Sequence, residues 1–131
     1  MIAEDFVNFE TAKLLKEKGF DLPVHYVYHY WANAPFFHRK IKNFNGEEYR
    51  NLKNEWYSAP TQSLAMKWLR EVHNIFIAIN MIPDTIQKHY FFKLYLGGKI
   101  YNFPLEYSVE FYTIYEEACE AAIKYCLENL I

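Results

Sequence analysis

The chain has 131 residues, 14 Lys and Arg against 16 Asp and Glu, a formal charge of -2 and a mean hydropathy of -0.24. That length fits one domain spanning 1–131, and an apolar content of 52% excludes wholesale disorder. The sequence has no 18-residue apolar run to cross a membrane, and a pI near 6.2 argues against a general electrostatic binder of nucleic acid.

The first predicted element is a helix over 9–18. Phe9, Ala12, Leu14 and Leu15 supply its apolar stripe, with Lys13, Lys16 and Glu17 outside. Asn8 is placed to cap its start and Gly19 to follow its end, with Phe20 folding back onto the last turn. After Asp21-Leu22-Pro23 the period changes, and the β-branched and aromatic run 24–31 predicts a strand. One face would carry Val24, Tyr26, Tyr28 and Tyr30, the other His25, Val27, His29 and Trp31. Pro35 interrupts the next stretch, and Asn45-Gly46 signals a short irregular hairpin between 41–44 and 47–52.

Ala59-Pro60-Thr61 opens a second helix over about 60–72, with Thr61 as its cap. Leu64, Ala65, Trp68, Leu69 and Val72 are expected inward; Gln62, Lys67, Arg70 and Glu71 are expected outward. Segments 75–79 and 89–96 read as strands, the first buried, and Gly97-Gly98 turns the second into 99–103. Alternation over 107–112 predicts a half-buried strand. Thr113-Ile114-Tyr115-Glu116 has the spacing of a capping box. The helix it opens has an apolar face of Tyr115, Ala118, Cys119, Ala122, Ile123, Cys126 and Leu130, and Glu120 is spaced to pair with Lys124. Strands joined by short turns, without regular βαβ alternation, imply an α+β fold. The expected architecture is one antiparallel sheet of four to five strands with about three helices packed on one face.

Several chemistries find little footing. Cys119 and Cys126 lie seven apart in a helical segment, about 10.5 Å along its axis, too far to bridge within one helix. Free thiols, and an N-terminus without the basic and apolar regions of a signal peptide, suggest a cytoplasmic protein. His25 and His29 on a strand stand about 13 Å apart, too far to share one ion. His38, His73 and His89 occupy separate elements, so no metal site is expected. Ser58, Ser63 and Ser108 lack a GxSxG setting, and Gly97-Gly98-Lys99 lacks the spacing of a phosphate loop. Glu47-Glu48 and Glu116-Glu117 read as solvated charge. No catalytic residue and no cofactor are expected.

Charge and rings are more informative. The stretch 38–53 holds Arg39, Lys40, Lys42, Arg50 and Lys53 against Glu47 and Glu48, a local +3; 105–131 holds six glutamates and Lys124, a local -5. Aromatics make up 20% of the chain, against four glycines, more ring surface than one small core need bury. Trp31, Phe36, Phe37, Tyr49 and Trp56 interleave with the cations Arg39, Lys40, Lys42 and Arg50. This composition suits a protein-contact hot spot and also single-stranded nucleic acid; the plainer reading is a hairpin lying on its own core. A helix-turn-helix would need a second helix within a few residues of Gly19, where a strand-like run stands instead. The second helix and the strands after it could imitate a winged helix that presents Gln62, Lys67 and Arg70 to nucleic acid.

Three blocks carry a resemblance. They are Phe9-Glu10-Thr11-Ala12-Lys13-Leu14-Leu15-Lys16-Glu17-Lys18-Gly19-Phe20-Asp21, the run from Ala59-Pro60-Thr61-Gln62 to Glu71-Val72-His73, and the ending from Tyr115-Glu116-Glu117-Ala118 to Leu130-Ile131. In order, and over less than half of the chain, they resemble a family of small uncharacterised proteins of gut Bacteroidales genomes and of their phages and mobile elements. The middle of the chain departs most from that pattern. The resemblance implies a mobile-element context and brings no activity, cofactor or residue role. The expectation is therefore a non-enzymatic accessory protein acting by contact with another protein or a second copy, with no membrane partner. The alternative is a nucleic-acid-binding regulator that uses 38–57 or the second helix.

Overall fold

The computed structural model describes residues 4–31, 34–39, 56–83, 86 and 88–131, with the side chain of Trp31 left out. The first helix, α1 (Phe9–Glu17), starts where the Asn8 side chain accepts the Thr11 N–H at 2.9 Å. It stops at Gly19, whose φ of +90° lets the Phe20 N–H return to the Leu15 carbonyl at 2.9 Å. Phe20 is thereby buried edge-on to Trp68. This end of the chain forms as its sequence suggests.

The chain then builds β1 (Tyr26–Trp31), β2 (Ala34–Arg39) and β3 (Trp56–Ser58), antiparallel in the order β2-β1-β3. Pro35 does not end the strand. Among the described strands it sits at the edge of its sheet, where a missing N–H need not break a ladder. Register sets the two faces. Tyr28 lies between Phe37 and Tyr57, and His29 between Phe36 and Trp56. The expected hairpin over 41–52 lies outside the described residues.

Thr61 caps α2 (Gln62–His73) by accepting the Leu64 N–H at 3.1 Å, and Asn74 closes it in the left-handed region at φ 55°. Ala65, Trp68 and Leu69 are buried as expected, but two positions are reversed: Val72 is 61% exposed, and Gln62 is buried. The chain continues into β4 (Ile75–Ile82), β5 (His89–Leu96) and β6 (Lys99–Ile100), antiparallel in that order. Gly97 and Gly98, with φ +58° and +84°, make the two-residue turn between the last two. Among the described strands β4 lies at the edge of its sheet and is largely half-buried, with Ile75 alone in it fully covered.

Two expectations near the C-terminus fail. Segment 107–112 is no strand, only a bridge between Tyr90 and Tyr112. Its rings pack locally instead: Tyr107 stacks on Phe103 at 4.6 Å, and both meet Tyr125 edge-on. The capping box does not form either. The last helix, α3 (Tyr115–Asn129), starts after Ile114 with no side-chain cap. Glu116 is then the second helical residue and Thr113 lies outside the cap, so the reciprocal bonds are out of register. Tyr115 is 45% exposed, while Tyr125 and Leu127 join the buried Ala118, Cys119, Ala122, Ile123 and Cys126. Lys124 pairs with Glu10 of α1 at 3.2 Å rather than with Glu120.

The described strands therefore form two three-stranded sheets, not one sheet of four to five. The α+β class holds, with three helices among the described residues. The division follows from where each sheet buries itself. α1 packs against β3, while α2 packs against β4 and α3 against β4 and β5, and α3 touches both other helices. The core runs through these contacts, joining Leu15, Phe20 and Val24 to Leu69, Leu94, Ile123 and Leu127.

Candidate functional site

Along α1, Lys13, Lys16 and Glu17 were expected to do no more than meet solvent. Residues four apart on a helix share a face, and Phe9 and Lys13 here lean toward the first sheet. With Tyr30 and Tyr57 they line an open cleft of about 740 Å³. Phe9 stacks on Tyr30 at 5.4 Å with ring planes 8° apart, and meets Tyr28 and Tyr57 edge-on. The Lys13 ammonium stands 5.5 Å from the Phe9 ring centre, and that of Lys16 stands 4.9 Å from the Tyr57 ring centre. Lys16 also donates to the Trp56 carbonyl at 2.8 Å. Burial lowers the Lys16 pKa below its usual value; burial, then the Glu17 charge and Tyr30, raises that of the Tyr57 phenol. The result is a wall of rings edged by two cations and one carboxylate.

The residues expected to form one contact surface are divided. Phe37 belongs to the tyrosine face, stacked on Tyr26 at 5.1 Å and touching Phe6 and Tyr28. Trp56 belongs to the opposite face, stacked on His29 at 3.9 Å and edge-on to His38. Phe36, in register with His29, shares that face. Phe36 and Phe37 are 52% and 44% exposed, and Arg39 is exposed beside them on the edge strand. Lys40, Lys42, Tyr49 and Arg50 lie outside the described residues, as does the Trp31 side chain.

The nucleic-acid candidates on α2 also separate. Lys67 and Arg70 are exposed. They border an open hollow of about 430 Å³ whose other walls include Phe76, Ile79 and Tyr115. Gln62 is not on that outer face. Its side-chain amide donates to the Glu116 carbonyl and to Glu120 Oε1, both at 3.0 Å. A buried amide needs partners, and Gln62 finds them on α3.

The thiols are free and buried. Burial pushes Cys119 up to about 11 and Cys126 up to about 12, which leaves little thiolate at neutral pH. His29 and His38 do converge, with ring centres 6.3 Å apart, although the sequence put them in separate elements. Among the described residues no three His, Cys, Asp or Glu side chains gather to hold a metal ion. No described helix is long and apolar enough to cross a membrane. Comparison with protein-family models, curated proteins and solved structures finds no match for this chain.

Proposed function

We propose that the chain is a non-enzymatic, cytoplasmic accessory protein that works by holding a segment of another protein in the cleft between α1 and the first sheet. The carrying observation is the cleft itself, where Phe9, Tyr30 and Tyr57 stand beside Lys13 and Lys16. Rings in a concave setting supply most of the energy of a protein contact, and charges at its rim supply orientation. The fitting segment carries an aromatic or aliphatic side chain flanked by carboxylates. The resemblance of the helical blocks to small Bacteroidales phage and mobile-element proteins supports an accessory role in such an element.

The test is an NMR titration of the labelled chain with a short peptide bearing phenylalanine between glutamates, against the same peptide with lysines. Resonances of Lys13, Lys16 and Tyr30 should shift with the acidic peptide alone. Lys13→Glu should weaken that binding about fivefold, as expected for one exposed charge pair. Equal response to both peptides, or none, overturns the reading.

A second reading is contact with single-stranded nucleic acid at the hollow beside α2. It draws on the pairing there of Lys67 and Arg70 with Phe76 and Tyr115. A labelled oligothymidine should then bind at about 50 mM salt and release steeply as salt rises. Absence of binding at that salt removes this reading and leaves the first intact.

A further inference from the structure

β4 has a free edge. The Asn74 carbonyl accepts the Gly97 N–H at 3.1 Å, just before the ladder with β5 begins. Hydrogen-bonded and non-bonded pairs alternate along an antiparallel ladder, so Phe76, Ala78, Asn80 and Ile82 turn their backbone groups toward β5. Ile75, Ile77, Ile79 and Met81 turn theirs outward. The far side of β5 gives the same phase independently. Tyr90, opposite Met81, exchanges both of its backbone bonds with Tyr112, at 2.6 and 2.8 Å. Among the described residues no hydrogen bond reaches the outward row of β4. The strand reads IFIAINMI, without a charge, glycine or proline, and so lacks the usual devices that protect an edge.

We propose that this edge is covered by β4 of a second copy, paired antiparallel about a two-fold axis through Ala78. That axis is the one that pairs all four outward residues with each other: Ile75 with Met81 of the second copy, and Ile77 with Ile79. An axis through Phe76, Ile77, Ile79 or Asn80 leaves at least one of them without a partner. Alanine, the smallest side chain in the strand, then faces its own copy at the axis, where opposed Cβ atoms approach to about 5 Å. Phe76 and Met81, 41% and 49% exposed, come to lie beside Asn80 and Ile75 of the second copy. The strand carries no charge, so the β4 side chains themselves oppose no like charges across the axis. The hollow of about 430 Å³ between α2 and β4 leaves room beside the edge. The operation uses each edge once, so it closes as a dimer with a six-stranded sheet and does not propagate into a fibre. This pairing is separate from the cleft on the first sheet, and either can fail without the other.

Light scattering on the purified chain tests it. The expected mass is twice the 15.8 kDa of one chain. Ala78→Glu and Ala78→Lys should each halve the mass, because like charges then face each other at the axis. Mixing the two variants should restore the doubled mass, a rescue that a misfolded variant could not give. Ala78→Cys should cross-link under mild oxidant, since Cα atoms at a non-bonded antiparallel pair stand within disulfide reach. A one-chain mass at every concentration, a doubled mass indifferent to Ala78→Glu, or a mass that grows without limit would each overturn the proposal.

Discussion

Gln62 ties together three helices that share few other polar contacts. Its amide nitrogen donates to the Glu116 carbonyl in the first turn of α3 and to Glu120 Oε1. The second carboxylate oxygen of Glu120 accepts the Asn8 N–H at the start of α1, at 3.1 Å. Gln62 is only 7% exposed, so water cannot easily replace its amide. Removing one partner of a buried bond costs the desolvation of the group left behind, about 1–3 kcal/mol. Gln62→Ala should therefore lower stability by about 2 kcal/mol in urea unfolding. Gln62→Glu should lose more, because it sets a second carboxylate against Glu120. An effect of Gln62→Ala below about 0.5 kcal/mol, the usual size for a plain surface change, would show that the amide ties nothing.

The turn between β5 and β6 separates two glycines of unequal need. Gly98, at φ +84°, lies where a side chain is strained even though nothing crowds it, and Gly98→Ala should cost about 1 kcal/mol. Gly97, at φ +58°, lies in the region that asparagine tolerates, and an added Cβ would make ordinary contact with Asn74 at 3.6 Å. Gly97→Asn should change stability by less than about 0.5 kcal/mol, because Asn-Gly is the favoured pair for this turn. Thermal unfolding of both variants compares them directly. This hairpin, like the caps at Asn8 and Thr61 and the strand from His89 to Leu96, was legible because its causes lie within a few residues of one another. The partition into two sheets was not, since it depends on which helix covers which strand. Pro35 misled because tolerance of proline depends on edge position, a property of the assembled sheet. Alternation over 107–112 misled because the ring of Tyr107 found Phe103 and Tyr125 before a neighbouring strand. At the cleft, Lys13 and Lys16 read as solvated charge, since only the approach of Tyr30 and Tyr57 gives them rings to face. Trp56 reads as a contact residue from its neighbours in sequence, but nothing local announces that it stacks on His29.

The shifted thiols and phenols point one way, while Lys16, lowered by burial, opposes them as a single group. Cys119 and Cys126 rise to about 11 and about 12 from an ordinary 9.0 through burial, and Tyr112 rises to about 12 from 10.0 through burial and the Glu110 charge. Tyr125 is raised too, by burial and by its hydrogen bond with Tyr101 at 3.0 Å. Each is an acid that the folded chain holds protonated longer than the unfolded chain does. Above about pH 9 the unfolded state therefore binds fewer protons, and stability falls with pH. Below pH 9 the contribution is present in full; it drains as pH climbs through 11 and 12. Urea midpoints should hold steady from neutral pH to about pH 9 and then drop steeply. Cys126→Ala should flatten that drop by removing one linked proton, whatever it does to stability at neutral pH. The same burial predicts that a water-soluble thiol reagent leaves the native chain unmodified at neutral pH and labels both cysteines once urea unfolds it. A native chain that reacts at once, or an alkaline slope indifferent to Cys126→Ala, would mean that the thiols on α3 are not sealed from solvent.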